Sequence, residues 1–178
     1  MSLRVSGTPV LLGPSPRING TCLRFEEQDD EEWCWAVCVE MVLKHYEVST
    51  DEQCRIAQKG LALIGAAPVC CTIRNEFNNN PDCKRRLSAA DITRLRGKYP
   101  EIPVEHISGM PADEANLADR LRQLLNAGIL VEIGYRKPGE SHVVMLFGWS
   151  VKPTNNNIVF HVHDPKGSPN TIITAAEN

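Results

Sequence analysis

The spacing of apolar residues changes once along this chain, at Gly128, and that change limits the folds open to it. Before Gly128 apolar positions recur at helical intervals; after it they come in short β-like runs bounded by turn residues. Trp35, Cys38, Val39, Val42 and Tyr46 mark a first helix. Trp33, Val37, Met41 and Leu43 add apolar groups around its circumference, which predicts burial on most sides. Thr50-Asp51-Glu52-Gln53 has the form of a capping box opening a second helix through about Lys59. Ser88, with Asp91 three positions on, caps a third that ends near Gly97. A fourth runs from about Asp113 to Ala127, with Leu117, Leu121, Leu124 and Leu125 inward and Gly128 as its stop. Ile129 to Tyr135, His142 to Trp149 and Ile158 to Asp164 then read as strands separated by turns at 137–140 and 153–157. The expected class is α+β: a helical N-terminal half packed against an antiparallel β-sheet from the C-terminal half, with a cleft between them.

At 178 residues the chain has the length of one ordinary domain. Its 19 basic and 22 acidic residues give a net charge of −3, which argues against a nucleic-acid partner gripped across a broad basic face. No apolar run approaches the roughly 20 residues of a membrane span. Residues 1–20, rich in Gly, Pro and Ser, read as an extended arm ahead of a domain covering 21–178. Nothing near Met1 resembles a secretory apolar segment, because Pro9, Gly13, Pro14 and Pro16 interrupt it. Six carboxylates crowd residues 26–32; the simplest reading is a solvated cluster at a helix N-terminus, where negative charge suits the helix dipole.

Seven cysteines, all within the first 83 residues, point to disulfides and so to an exported or extracellular setting. An odd count leaves at least one thiol unpaired, and the connectivity of the rest is open. Zinc held by Cys54, Cys70, Cys71 and Cys83 is unattractive, because the paired short spacings of structural zinc sites are missing.

Four residues together suggest chemistry: Gln28, Cys34, His142 and Asp164. A cysteine attacks as the thiolate, and both a helix N-terminus and a neighbouring imidazole favour that form. Cys34 stands where the buried first helix should begin. His142 opens one predicted strand and Asp164 ends the next. His142 shares a face with Val144 and Leu146, and Asp164 with Val162 and Phe160, so parity puts both on one side of the sheet. An aspartate there can orient the imidazole. By the same parity His161 and His163 point the other way; they suggest a solvent-facing strand pair more than metal ligands. Trp35 reads as a packing anchor and Cys38 as core or half a disulfide.

Gln28, five intervening residues and Cys34-Trp35-Ala36 resemble the nucleophile segment of papain-like cysteine peptidases. The similarity to bacterial avirulence-effector proteases extends through Gln53-Cys54-Arg55-Ile56-Ala57, Cys70-Cys71, His142-Val143-Val144 with Gly148-Trp149, and Asp164-Pro165, over roughly residues 26–168. The chain departs from that pattern in Glu140-Ser141 before the histidine, in an aspartate as third member, and in the acidic run. The resemblance implies a secreted thiol protease with Cys34 as nucleophile, His142 as general acid and base, and Asp164 as its orienter. Gln28 and the Cys34 N–H would form the oxyanion hole. It implies a protein or peptide substrate, needs no metal or organic cofactor, and leaves room for an activating host factor. The acidic run would then favour basic residues in the substrate. The alternatives are a glutamine deamidase or acyltransferase on the same scaffold, a catalytically silent binding or toxin module, and a zinc-stapled interaction domain.

Overall fold

The computed structural model describes residues 4–6, 23–66, 68–71, 80–99, 102, 104–108, 114–137, 140–151 and 158–175. In chain order the elements are β1 (Arg4–Ser6), α1 (Cys34–His45), α2 (Gln53–Ala62), a 3-10 turn (Pro81–Cys83), α3 (Ala89–Arg96), β2 (Val104–Ser108), α4 (Glu114–Asn126), β3 (Leu130–Lys137), β4 (Glu140–Val151), β5 (Ile158–Asp164) and β6 (Ser168–Ala175). The class is α+β, with one six-stranded sheet in the order β1-β6-β5-β4-β3-β2.

The sheet differs from the expected antiparallel one in two respects. β2 pairs parallel with β3, Val104 opposite Leu130 through Ser108 opposite Gly134. The intervening α4 explains this, since a helical crossover returns the chain in the same direction. Pairing also continues past Asp164 into β6, whose outer edge takes up Arg4–Ser6 from the segment read as an arm. Most of that segment, and the 153–157 turn, lie outside the described residues.

Local signals set the helices. Ser88 caps α3 by accepting from the Asp91 N–H, 3.2 Å. Gly128 ends the α4 segment at φ 74°, a backbone conformation open to glycine. Leu121 and Leu125 of α4 are buried, with Leu117 and Leu124 partly so against the same core. The capping box at 50–53 does not form. α2 starts at Gln53 with Glu52 as an N-cap that makes no side-chain capping bond. Asp51 instead pairs with Lys59 and accepts from the Tyr99 hydroxyl, 2.9 Å.

Two apolar cores meet along α1. Cys38, Met41 and Val42 pack with α4 and the inner face of the sheet. Trp35, Val39 and Leu43 pack with α2, α3 and the cysteine-rich segment. Two disulfides, Cys54–Cys71 and Cys70–Cys83, staple that second core and use all four cysteines considered for zinc. Trp33 Nε1 donates to the Cys83 carbonyl at 2.9 Å and Trp35 Nε1 to that of Arg85 at 3.3 Å. Both indoles are therefore pinned as well as buried.

Gly60 of α2 lies against one of them. A Cβ added there would sit 2.7 Å from Leu87 Cδ1 and 2.8 Å from Trp35 Cη2. Gly60→Ala gains about 1 kcal/mol of helix propensity, against an overpacking cost of about 1–3 kcal/mol. A net loss of stability is expected, read as a lower urea midpoint at unchanged m. A higher midpoint would mean that the indole can shift aside.

Candidate active site

Cys34 is the first residue of α1 and 5% exposed. Trp33 precedes it as N-cap, and no side chain caps the helix. The first intrahelical bond runs from Val37 N to Trp33 O at 3.1 Å, so the Cys34 N–H lies ahead of the helical ladder. Sulfur at this position meets the positive end of the helix dipole. Cys34 and Cys38 are the free thiols among the described residues.

α1 packs against β4, and that contact brings Cys34 to His142. His142 is buried, and its Nε2 lies 2.7 Å from Asp164 Oδ1. Nδ1 is then the ring nitrogen left for Cys34. Burial alone would lower the imidazole pKa; the bonds to Asp164 and Cys34, with the charge of both, outweigh it and push the value up to about 9. The ring is thus held as imidazolium at neutral pH. Asp164 stays in place because its Oδ1 also accepts from the Lys166 N–H at 3.0 Å, in the turn that leads to β6.

Gln28 approaches from the loop before α1. Its N–H donates to the Pro165 carbonyl at 3.1 Å, which ties this loop to the end of β5. Its Nε2 donates to the Asp30 carbonyl at 2.9 Å and keeps a second N–H. Oε1 is buried without a hydrogen-bond partner among the described residues. Cys34, His142 and Asp164 are therefore brought together directly, and Gln28 joins them through Pro165.

The acidic run is not simply solvated. Glu26 pairs with Arg24 at 3.0 Å and Lys44 at 3.2 Å, Asp30 with Lys84 at 3.6 Å, and Glu32 with Arg86. Three of its six carboxylates thus hold the loop to its surroundings. Nor does the run enter the first turn of α1, which contains no acid.

Beneath the loop lies a polar cluster that the sequence did not single out. Gln53 Oε1 accepts from the Asp29 N–H at 2.9 Å, and its Nε2 donates to the Glu27 carbonyl at 2.7 Å. Glu40, buried on α1, pairs with Lys44 at 2.8 Å. Burial drives its carboxyl up to about 7, against the opposing pull of Lys44. Local pattern marks Gln53 only as the end of a capping box and the start of a Gln-Cys-x-Ile-Ala stretch.

His161 and His163 do not face solvent; both are buried. His161 Nε2 meets Ser150 Oγ at 2.9 Å, and His163 Nε2 meets the Leu23 carbonyl at 3.2 Å. Phe147 stacks on the His163 ring at 4.1 Å. The chain segment at Leu23 and Phe25 covers this second face of the sheet, and alternation alone gives no sign of that. No group of three potential metal ligands occurs among the described residues, and no described helix is long and apolar enough to cross a membrane.

No family model matches the chain, and neither a curated protein nor a solved structure matches it.

Proposed function

We propose that this chain is a cysteine peptidase of papain-like type, acting on protein or peptide substrates. The observation that carries the reading is a free thiol at the uncapped N-terminus of a buried helix, interacting with an imidazole that a carboxylate holds at 2.7 Å. The Cys34 thiolate attacks the substrate carbonyl, forming a C–S bond and a tetrahedral oxyanion. The second N–H of the Gln28 amide and the Cys34 N–H stabilise that oxyanion, each donor typically contributing about 3 kcal/mol. As the oxyanion collapses the C–N bond breaks, and His142 passes its proton to the departing amine. His142, now neutral, takes a proton from water; the resulting attack on the thioester releases the acid and restores the ion pair. Substrate lies in a cleft between the helical half and the sheet. The two disulfides favour an oxidising compartment and hence an exported protein.

Proteome-wide profiling of new N-termini, with wild type against Cys34→Ala, tests this. Termini generated only by the wild type are expected. Loss of one amide as a mass gain of about one dalton, without cleavage, would move the same acyl chemistry to a glutamine deamidase. If wild type and Cys34→Ala give identical profiles, and Cys34 reacts with iodoacetamide no faster than an ordinary thiol, the chain is no thiol enzyme.

A further inference from the structure

Gln53 takes no part in the chemistry above, yet both ends of its amide are committed to the loop that carries Gln28. The side chain is buried at the start of α2. It accepts from Asp29 N and donates to the Glu27 carbonyl, the backbone groups on either side of Gln28. Gln28 itself is fastened through its N–H to Pro165, the residue after Asp164. The two peptides flanking Gln28 are thus held by α2, while the residue between them is held by the strand end that orients His142. Glu40, on α1, the helix that bears Cys34, lies within electrostatic range of the Gln53 amide. Cys54, next to Gln53, is bridged to Cys71, which anchors this end of α2 in turn.

We propose that Gln53 is a positioning residue for the oxyanion donor Gln28. The inference rests on the peptidase reading and deepens it. An oxyanion hole acts through donors already in place when charge develops on the substrate oxygen. A displacement on the order of 1 Å in such a group costs roughly a hundredfold in rate. A loop without internal secondary structure does not supply that precision alone. An amide spanning the two peptide groups around Gln28 fixes both its position and the direction of its Cα–Cβ bond.

Gln53→Met keeps the side-chain length and removes both polar ends. With fluorescently labelled, unfolded casein as substrate, kcat should fall about 10- to 100-fold with KM within about twofold. Alkylation of Cys34 by iodoacetamide should keep its rate and pH dependence, because displacement at that carbon builds no oxyanion. In a Gln28→Ala background the same substitution should cost less than about twofold more, since the donor it positions is gone. Gln53→Glu retains an acceptor for Asp29 N–H and should fall between wild type and Gln53→Met; it carries the same comparisons if Gln53→Met does not fold. The proposal is overturned if Gln28→Ala is slow while the Gln53 variant turns over like wild type. It is equally overturned if the two losses multiply, or if alkylation slows in parallel with turnover. A different pattern marks failure of the underlying reading: casein left uncut by wild type, or Gln28→Ala cleaving as fast as wild type.

Discussion

Asp164→Asn is expected to lower kcat/KM by about 10²- to 10⁴-fold, the range set by misorienting a catalytic imidazole. It should also draw the alkaline limb of the pH profile down from about 9 toward the ordinary histidine value near 6.5. The amide can still accept from the Lys166 N–H, so the turn after β5 survives. What disappears is the negative charge 2.7 Å from Nε2. Without it, burial and its downward pull on the imidazole are opposed by Cys34 alone. The imidazolium, the proposed proton donor to the leaving amine, then titrates away at lower pH. The same pair contributes to folding, and its sign follows from the raised value. Its stabilisation is complete below about 6.5, where the unfolded chain is protonated as well. It fades as pH rises through about 9. In Asp164→Asn the urea midpoint should accordingly vary less between those limits. Measuring kcat/KM and midpoint from pH 5 to 10 checks both; an alkaline limb left near 9 would remove Asp164 from its assigned role.

Glu132→Ala should produce the largest loss of stability, about 3–5 kcal/mol, the cost of leaving a buried charge without its partner. Glu132 is fully buried on β3 and forms an ion pair with Arg96 at the end of α3, itself mostly buried. Burial brings the Arg96 pKa down to about 10, with Cys38 pulling the other way, so the guanidinium stays charged at neutral pH. Removing the carboxylate strands that charge between the helices and the sheet. Replacing both partners with apolar groups, Arg96→Met with Glu132→Leu, should recover most of the loss, since a dry pair often contributes little beyond its desolvation cost. Exposed pairs such as Arg94–Asp91 and Arg122–Asp119 provide the contrast, at about 0–1 kcal/mol each. Urea unfolding of the single and double variants decides the matter; a loss under about 1 kcal/mol for Glu132→Ala would mean that water reaches Arg96.

Where one local rule acts unopposed, the chain could be read directly. Ser88 and Gly97 bound α3, Gly128 stops α4, and alternation in β4 and β5 puts His142 and Asp164 on one side of the sheet. The errors share a cause: a tertiary partner outside the local window. Gln53 fits a capping box but is drawn away by the 27–29 backbone. Asp51 is likewise drawn to Lys59 and Tyr99. His161 and His163 alternate as exposed residues would, yet the chain around Leu23 and Phe25 covers them. β2 and β6 take their place from strands already in the sheet, and the parallel sense of β2 comes from the crossover through α4. Cysteine connectivity belongs to the same class, because the sulfurs meet where the Cys70-Cys71 segment lies against both α2 and the 3-10 turn.

The long reach between α1 and β4 bears on when the site is assembled. The neighbouring contact of Cys38 with the Val143 carbonyl already joins positions 105 residues apart. A chain being synthesised therefore presents Cys34 before His142 has been made. Such distant pairings form only after much of the loop-closure entropy has been overcome. On the peptidase reading, the site is therefore complete only once the C-terminal strands dock.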